Sequence, residues 1–390
     1  MVAIALASLF SDLGHETATT LLPGFLTVVL AAPAIALGLV EGISDVVAAA
    51  AKLGGGALAA RGSALRGWAA AGYLTTGVAT GLIALVRTWP WLVVIRPIGW
   101  AGRGWRGPLR NLLLTLSVPK GQFGRAFGLE RAGDNAGAVA APVLAIVLLG
   151  AIHYRGAFLV AALPGVIAAA CYFFVRPARA APGTFQLRLS GYPAPFNRVL
   201  RATAVFGSAQ FAGSFFTLRA TQLLVPRYGA AGGASLAIAG YFLYNLMATG
   251  LSYPTGAIAD RGGHWRPRLL SLSFLSFAFA SAFLALSSAI VLALIPAFIF
   301  GGAAAGAVEV AESALAGDQL PANLRGSGFG LLAAVNGAGD FAASIWVASV
   351  WTVFSATPAF LTAAALALVG AFLGARIPAG SMPSAPHQGP

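Results

Sequence analysis

The chain has 390 residues, of which 58% are hydrophobic and 9% charged, with a mean hydropathy of +0.82. Soluble domains carry about 25% charged residues, so this composition excludes a water-exposed globule and points to lipid as the solvent. A net charge of +13 would suit nucleic acid, but the Lys and Arg punctuate apolar runs instead of forming a stripe, and the single Cys171 excludes a disulfide framework or a cysteine metal site.

Apolar runs of about 20 residues, long enough to cross about 30 Å of hydrocarbon as a helix, recur along the chain. They predict helices at 3–29, 34–58, 67–86, 90–117, 125–150, 157–175, 199–225, 235–258, 268–287, 289–315, 324–349 and 356–376. The alternating pattern of a membrane β-barrel is absent, and a helical bundle satisfies its backbone internally. The expected fold is an all-α membrane protein with twelve transmembrane helices in two pseudo-symmetric six-helix bundles. Asp12 and Glu16 in the first helix argue against a cleavable signal sequence.

One set of connections is rich in Arg and Lys, from Arg61 and Arg66 through Lys120, Arg176 and Arg198 to Arg376, whereas the other holds only Arg87, Arg155 and Arg227. This bias places both termini in the cytoplasm. The longest polar stretch divides the chain into a first bundle (1–175), a cytoplasmic linker (176–198) and a second bundle (199–376). The Pro-, Ser- and Gly-rich tail, 377–390, is expected to be disordered.

The two halves read as copies. A shift of 202 lays Pro119 on Pro321, Gly124 on Gly326, Phe127-Gly128-Leu129 on Phe329-Gly330-Leu331, and Asp134 on Asn336. A shift of 200 lays Gly56 on Gly256 and Arg61 on Arg261. Duplicated halves place a binding site at their interface near mid-membrane.

These residues resemble the major facilitator superfamily. Gly256-Ala-Ile-Ala-Asp260-Arg261-Gly-Gly263-His-Trp-Arg266 looks like its signature loop, and Gly56 to Gly62 like a degraded copy in which Ala60 replaces the acid. Asp12-x3-Glu16, Leu37 to Gly42, Arg103-Gly-Trp-Arg106 with Arg110, and Gly124 to Gly128 resemble a bacterial subgroup of unassigned substrate. The resemblance implies a secondary transporter of the bacterial inner membrane, not an enzyme, whose first, fourth, seventh and tenth helices line the cavity. Asp260 and Arg261 would be gating-loop residues. Gly133-x3-Gly137-x4-Pro142 resembles an efflux pattern.

Charges inside spans cost about 2.5–3.5 kcal/mol each at a helix centre and persist where they pair or face a wet cavity. At 100° per residue, Ser8, Asp12, His15 or Glu16, and Thr19 form one stripe. Glu41, Asp45 and Lys52 align on the second helix, and Arg96, Arg103, Arg106 and Arg110 on the fourth. The fifth carries Glu130, Arg131 and Asp134. Asp12, Glu16, Glu41, Asp45, Arg103, Arg106, Arg110, Arg131 and Asp134 are the candidates for proton coupling or cavity lining. Asp12 and Glu16 come first, with Arg106 and Arg110 as partners. Each also has a static reading, as an ion pair between helices. In the second half, Gln210, Ser214, Arg219, Tyr241, Tyr244, Asn245, Glu309, Glu312, Asn336 and Asp340 are candidate substrate contacts.

The expected partners are a small-molecule substrate, protons and the bilayer, with no nucleic acid and no cofactor, in a monomer. Asp12, His15 and Glu16 leave open a divalent-metal exporter. A receptor that kept the fold without turnover is a third reading; such a protein would gain stability by shedding its buried charges.

Overall fold

A computed structural model describes residues 1–378, and no strand occurs among them. Helix α1, Val2–Gly24, continues through a π-helical turn, Phe25–Val29. Then come α2 (Ala34–Ala60), α3 (Leu65–Ile83) and α4 (Leu92–Ser117). The helical stretch Phe123–Cys171 breaks at His153 (φ 56°), which separates α5 (123–152) from α6 (154–171). Helix α7 has two pieces, Ala194–Gly207 and 214–228. Gly229 (φ 74°) separates it from α8 (230–259) within the stretch Ser214–Ala259. Helices α9 (Trp265–Leu286), α10 (Leu294–Gln319), α11 (Arg325–Val353) and α12 (Ala356–Ala375) complete the bundle.

The twelve spans are therefore present, and one differs from expectation. The apolar run 199–225 predicts an unbroken helix, but 208–213 is not helical. Its backbone groups find partners on α11: the Trp346 indole donates to the Ser208 carbonyl (2.7 Å), and the Ala212 N–H donates to Ser344 Oγ (3.2 Å). Irregular backbone at membrane depth is tolerated where protein satisfies it in this way. Helix α4, like α1 and α3, is not apolar enough to span by composition alone; in α4 the reason is Arg96, Arg103, Arg106 and Arg110, which lie along it. Its arginines point inward. The outward faces of other helices are apolar and exposed, as at Val143, Ile146 and Val147 of α5.

The halves meet on the side that carries both termini. There Gly56 of α2 lies against Gly330 of α11, and Gly256 of α8 against Gly124 and Gly128 of α5. A Cβ at Gly56 or Gly256 would run into backbone of the opposite half. Gly56 matches Gly256 and Gly128 matches Gly330 in the sequence repeat, so one helix contact occurs twice, related by the internal two-fold. Phe127 and Phe329, also repeat mates, stack edge-on with centroids 6.0 Å apart. A single apolar cluster runs through this region from Ile4, Leu65 and Phe127 to Val310, Phe329 and Leu332.

The linker crosses the same seam. Ala180 N–H donates to Gly62 O (3.0 Å), Gly183 N–H to Ala60 O (2.9 Å) and Gln186 N–H to Ser327 Oγ (2.9 Å). It thus covers the place where Ala60 stands in for the acid of the other loop. Of the tail, Ile377 is buried in the second-half core, and 379–390 lie outside the described residues.

Candidate functional site

The charged residues of the first half meet as a ladder. Small residues on α4 let it approach its neighbours: Gly104 lies against Ala48 of α2, and Gly102 against Gly72 of α3. The arginines of α4 then reach across to α1 and α5. Arg103 holds Asp12 with both terminal nitrogens, one of them 3.1 Å from Oδ2. Arg110 binds Glu130 at 2.6 Å, and Ser8 donates to the same Glu130 oxygen at 2.7 Å. Arg96 donates to Thr19 (2.8 Å) and lies 3.4 Å from Glu41. Arg106 is 2% exposed and sits 3.9 Å over the Tyr73 ring, with Asp12 also 3.9 Å away. Bidentate or stacked guanidinium contacts of this kind are the stronger ones in a dry interior.

Among the described residues, one ion pair crosses between the halves. Arg131 on α5 pairs with Asp134 on its own helix and with Glu309 on α10. Asn135 adds a bond to Ser252 of α8 (3.2 Å). In the second half, Glu312 is buried and accepts from Thr203 (2.8 Å) and Asn336 (2.7 Å).

Three spaces open between these groups. A polar cavity of about 190 Å³ is lined by Lys52, Arg103, Arg106, Arg110, Arg131, Asp134, Glu309, Glu312, Asn336 and Asp340. A larger one, about 540 Å³, adds Asp45, Trp100, Phe341 and Ser344. A third, about 170 Å³, borders the broken stretch of α7 at Gln210 and includes Tyr244. Asp340 borders all three.

Several sequence expectations change. Arg106 and Arg110 are not the closest partners of Asp12: Arg103 takes that place and Arg110 is held by Glu130. Positions 103, 106 and 110 share one helix face, so spacing alone does not rank them. The Glu16 carboxylate is half-buried and forms no hydrogen bond or ion pair among the described residues. Asp12, His15 and Glu16 do not gather as metal ligands. Asp12 turns to Arg103 and His15 packs edge-on against Trp100 (4.9 Å), and no metal-type cluster occurs among the described residues.

Arg219 turns away from the cavities and donates to Ser287 (3.3 Å) and Ser288. Ser214 opens the second piece of α7 and is exposed. Tyr241 stacks on Tyr244, and Asn245 donates to the Tyr241 carbonyl (2.9 Å). Glu130 and Lys52 enter the site beyond the expected set. The sequence signal for Glu130 was its place one residue before Arg131, on the helix that carries Asp134.

In the signature loop, Asp260 accepts from the N–H groups of Gly124 and Arg125, both at 2.8 Å. A carboxylate from the second half thus caps the start of α5 in the first half. Arg261 is exposed, and the clamp is completed by Arg266 instead, which lies 3.6 Å from Asp260 and 3.0 Å from Asp318 and donates to Lys120 O (3.0 Å). Asp260→Ala removes the cap, which is worth about 1–2 kcal/mol. A Leu332→Cys thiol, placed under the seam in a Cys171→Ser background, is expected to react with a polar maleimide from the terminal side about 5–30 times faster in that variant. An unchanged rate would show that the cap does not hold the seam.

Two six-helix halves, joined on one side and enclosing charged cavities at mid-depth, define a multi-pass membrane transporter of the secondary type. The chain belongs to the Major Facilitator Superfamily, whose profile matches residues 4–344. It is 24% identical over 380 residues to an uncharacterised MFS-type transporter of Methanocaldococcus jannaschii, covering 95% of this chain and 92% of that one. Among solved structures it resembles the proton:xylose symporter XylE bound to 6-bromo-6-deoxy-D-glucose (TM-score 0.74, 14% identity, 97% of this chain and 95% of that one). It also resembles the human organic anion transporter MFSD10 (TM-score 0.72, 17% identity, 96% and 98%). At these identities the structures share the fold alone.

Proposed function

We propose that this protein exports a small solute across the cytoplasmic membrane in exchange for protons, with both termini in the cytoplasm. The Arg131 pairing with Asp134 and Glu309 carries this reading, because it straddles the halves beside the Asp12 and Glu130 pairs. While the seam is closed, Asp12 and Glu16 load protons from the opposite side. When the halves part at the seam, that bridge breaks, and the Arg131 charge released from Glu309 favours loss of those protons to the terminal side. When the bridge re-forms, the acids are ready to load again.

With the terminal side cytoplasmic, the seam is closed inward and the cavities belong to the outward-facing stage of alternating access. Asp12 and Glu16 bind the coupling protons, and Arg103 replaces Arg106 as the partner of Asp12. Glu16 has no partner to displace, so it is the first to load. The substrate lies between the halves against Gln210, Tyr244, Glu309, Glu312, Asn336 and Asp340, which border the three cavities. Lys52 and Asp45 close the α2 side. The potential supports the cycle, since one charge crossing 100 mV is worth about 2.3 kcal/mol.

The test is a pH-sensitive dye inside proteoliposomes. Wild-type protein is expected to pass protons when a substrate gradient is imposed, and Glu16→Gln to lose that proton movement while still binding substrate. Undiminished proton movement in Glu16→Gln would remove Glu16 from the coupling path.

A further inference from the structure

On the terminal side, away from the seam, the first turns of α7 and the end of α12 frame a groove of about 380 Å³. It is lined by Arg198, Arg201, Leu373 and Arg376. The three arginines are exposed, and none forms an ion pair among the described residues. Three unpaired guanidinium groups around one groove repel each other until an anion joins them. Guanidinium is the side chain best shaped for a phosphate, since it offers two parallel N–H donors.

The groove is built, not improvised. Arg376 follows the last turn of α12, where its N–H donates to Leu373 O (3.2 Å), and the next residue, Ile377, is buried in the core. Its guanidinium lies 4.1 Å over the Phe372 ring. One turn deeper, Gly370 packs against Phe206, which holds α12 close to α7 and gives the groove a floor. Leu368, Val369 and Phe372 continue from it along the outer face of α12, each about half exposed. The arginines therefore stand where the apolar helix faces end, at the depth of lipid headgroups.

We infer that this groove binds the phosphodiester headgroup of an anionic phospholipid, with an acyl chain lying along the exposed apolar face of α12. Basic pockets between transmembrane helices at this depth hold acidic headgroups. A free phosphate ion would meet the same arginines but would make no use of the apolar strip below them, so the lipid is the ligand that satisfies both parts.

Native mass spectrometry of the full chain in detergent tests this, with dioleoylphosphatidylglycerol and dioleoylphosphatidylcholine as probes. The wild type is expected to retain phosphatidylglycerol in preference. The combined Arg198→Gln, Arg201→Gln and Arg376→Gln variant is expected to lose at least about tenfold in affinity for it, with phosphatidylcholine unchanged. Equal retention of phosphatidylglycerol by the variant would overturn the inference. So would inorganic phosphate that binds with the same dependence on these arginines and displaces the lipid. If the triple variant does not insert, Arg376→Gln alone gives the answer. It leaves the buried contacts intact and is expected to weaken phosphatidylglycerol about threefold, and no change would count against the site.

Discussion

Replacing Arg110 with leucine is expected to destabilise the folded protein by about 3–5 kcal/mol, because it strands a buried carboxylate. Glu130 has a side chain 5% exposed, and Arg110 supplies its nearest positive charge at 2.6 Å. Ser8 would remain as a donor to Glu130, but one hydroxyl does not neutralise a charge away from water. The companion variant, Arg110→Met with Glu130→Leu, removes both charges and keeps the volume. It is expected to recover most of the stability, since a buried ion pair is often no better than a well-packed apolar pair.

Thermal unfolding in detergent reads this comparison. Transport separates it from a purely structural role. If the pair belongs to the charge ladder that couples the halves, the stable double variant is expected to remain inactive in proteoliposomes. A double variant with full stability and full coupled transport would show that this rung is only packing.

Gly256→Leu has the second large expected effect. The Gly256 backbone lies directly on Gly124 of the opposite half, so a side chain there has no room unless α5 and α8 move apart. Overpacking at such a contact costs about 1–3 kcal/mol, and the cost falls only on the arrangement in which the seam is closed. Reaction of Leu332→Cys from the terminal side is expected to rise at least about tenfold, and transport to fall to about a tenth or less, because one stage of the cycle is disfavoured. Gly56→Leu meets Gly330 across the symmetry-related contact and is expected to act in the same direction. Transport at the wild-type level in both variants would mean that the halves do not need to close here.

Much of the fold was legible in the sequence because the bilayer constrains it so strongly. Spans of fixed length, arginine-rich connections and a duplicated Phe-Gly-Leu at the start of α5 and α11 fix the number and pairing of helices. The break at 208–213 was not legible. Ser208, Gln210 and Gly213 make it more polar than its flanks, but no Pro marks a break, and the groups that satisfy its backbone, Trp346 and Ser344, lie more than a hundred positions away. The site was legible as a set of charges and not as a set of pairs. Helical spacing put Arg103, Arg106 and Arg110 on one face, but the choice of Arg103 for Asp12 depends on the rotation of α1 against α4. The Arg131–Glu309 pair had no local signal, since it exists only because the halves are docked. The signature loop singled out Asp260, which reaches the start of α5 in the opposite half, yet its cationic neighbour is Arg266 and not the adjacent Arg261, which faces outward.

The account rests on a water-filled space between the halves that opens to one side at a time. Two cysteines on α11 report on it in the Cys171→Ser background: Ala338→Cys, which lines the larger cavity, and Leu332→Cys, which is 4% exposed where the smaller polar cavity meets the shared apolar cluster. With a membrane-impermeant maleimide, Ala338→Cys is expected to react from the side opposite the termini while Leu332→Cys is protected. Conditions that drive turnover are expected to slow the first and speed the second from the terminal side. An Ala338→Cys that stays inert to polar reagents, or two thiols whose reactivities never change in opposite directions, would contradict it.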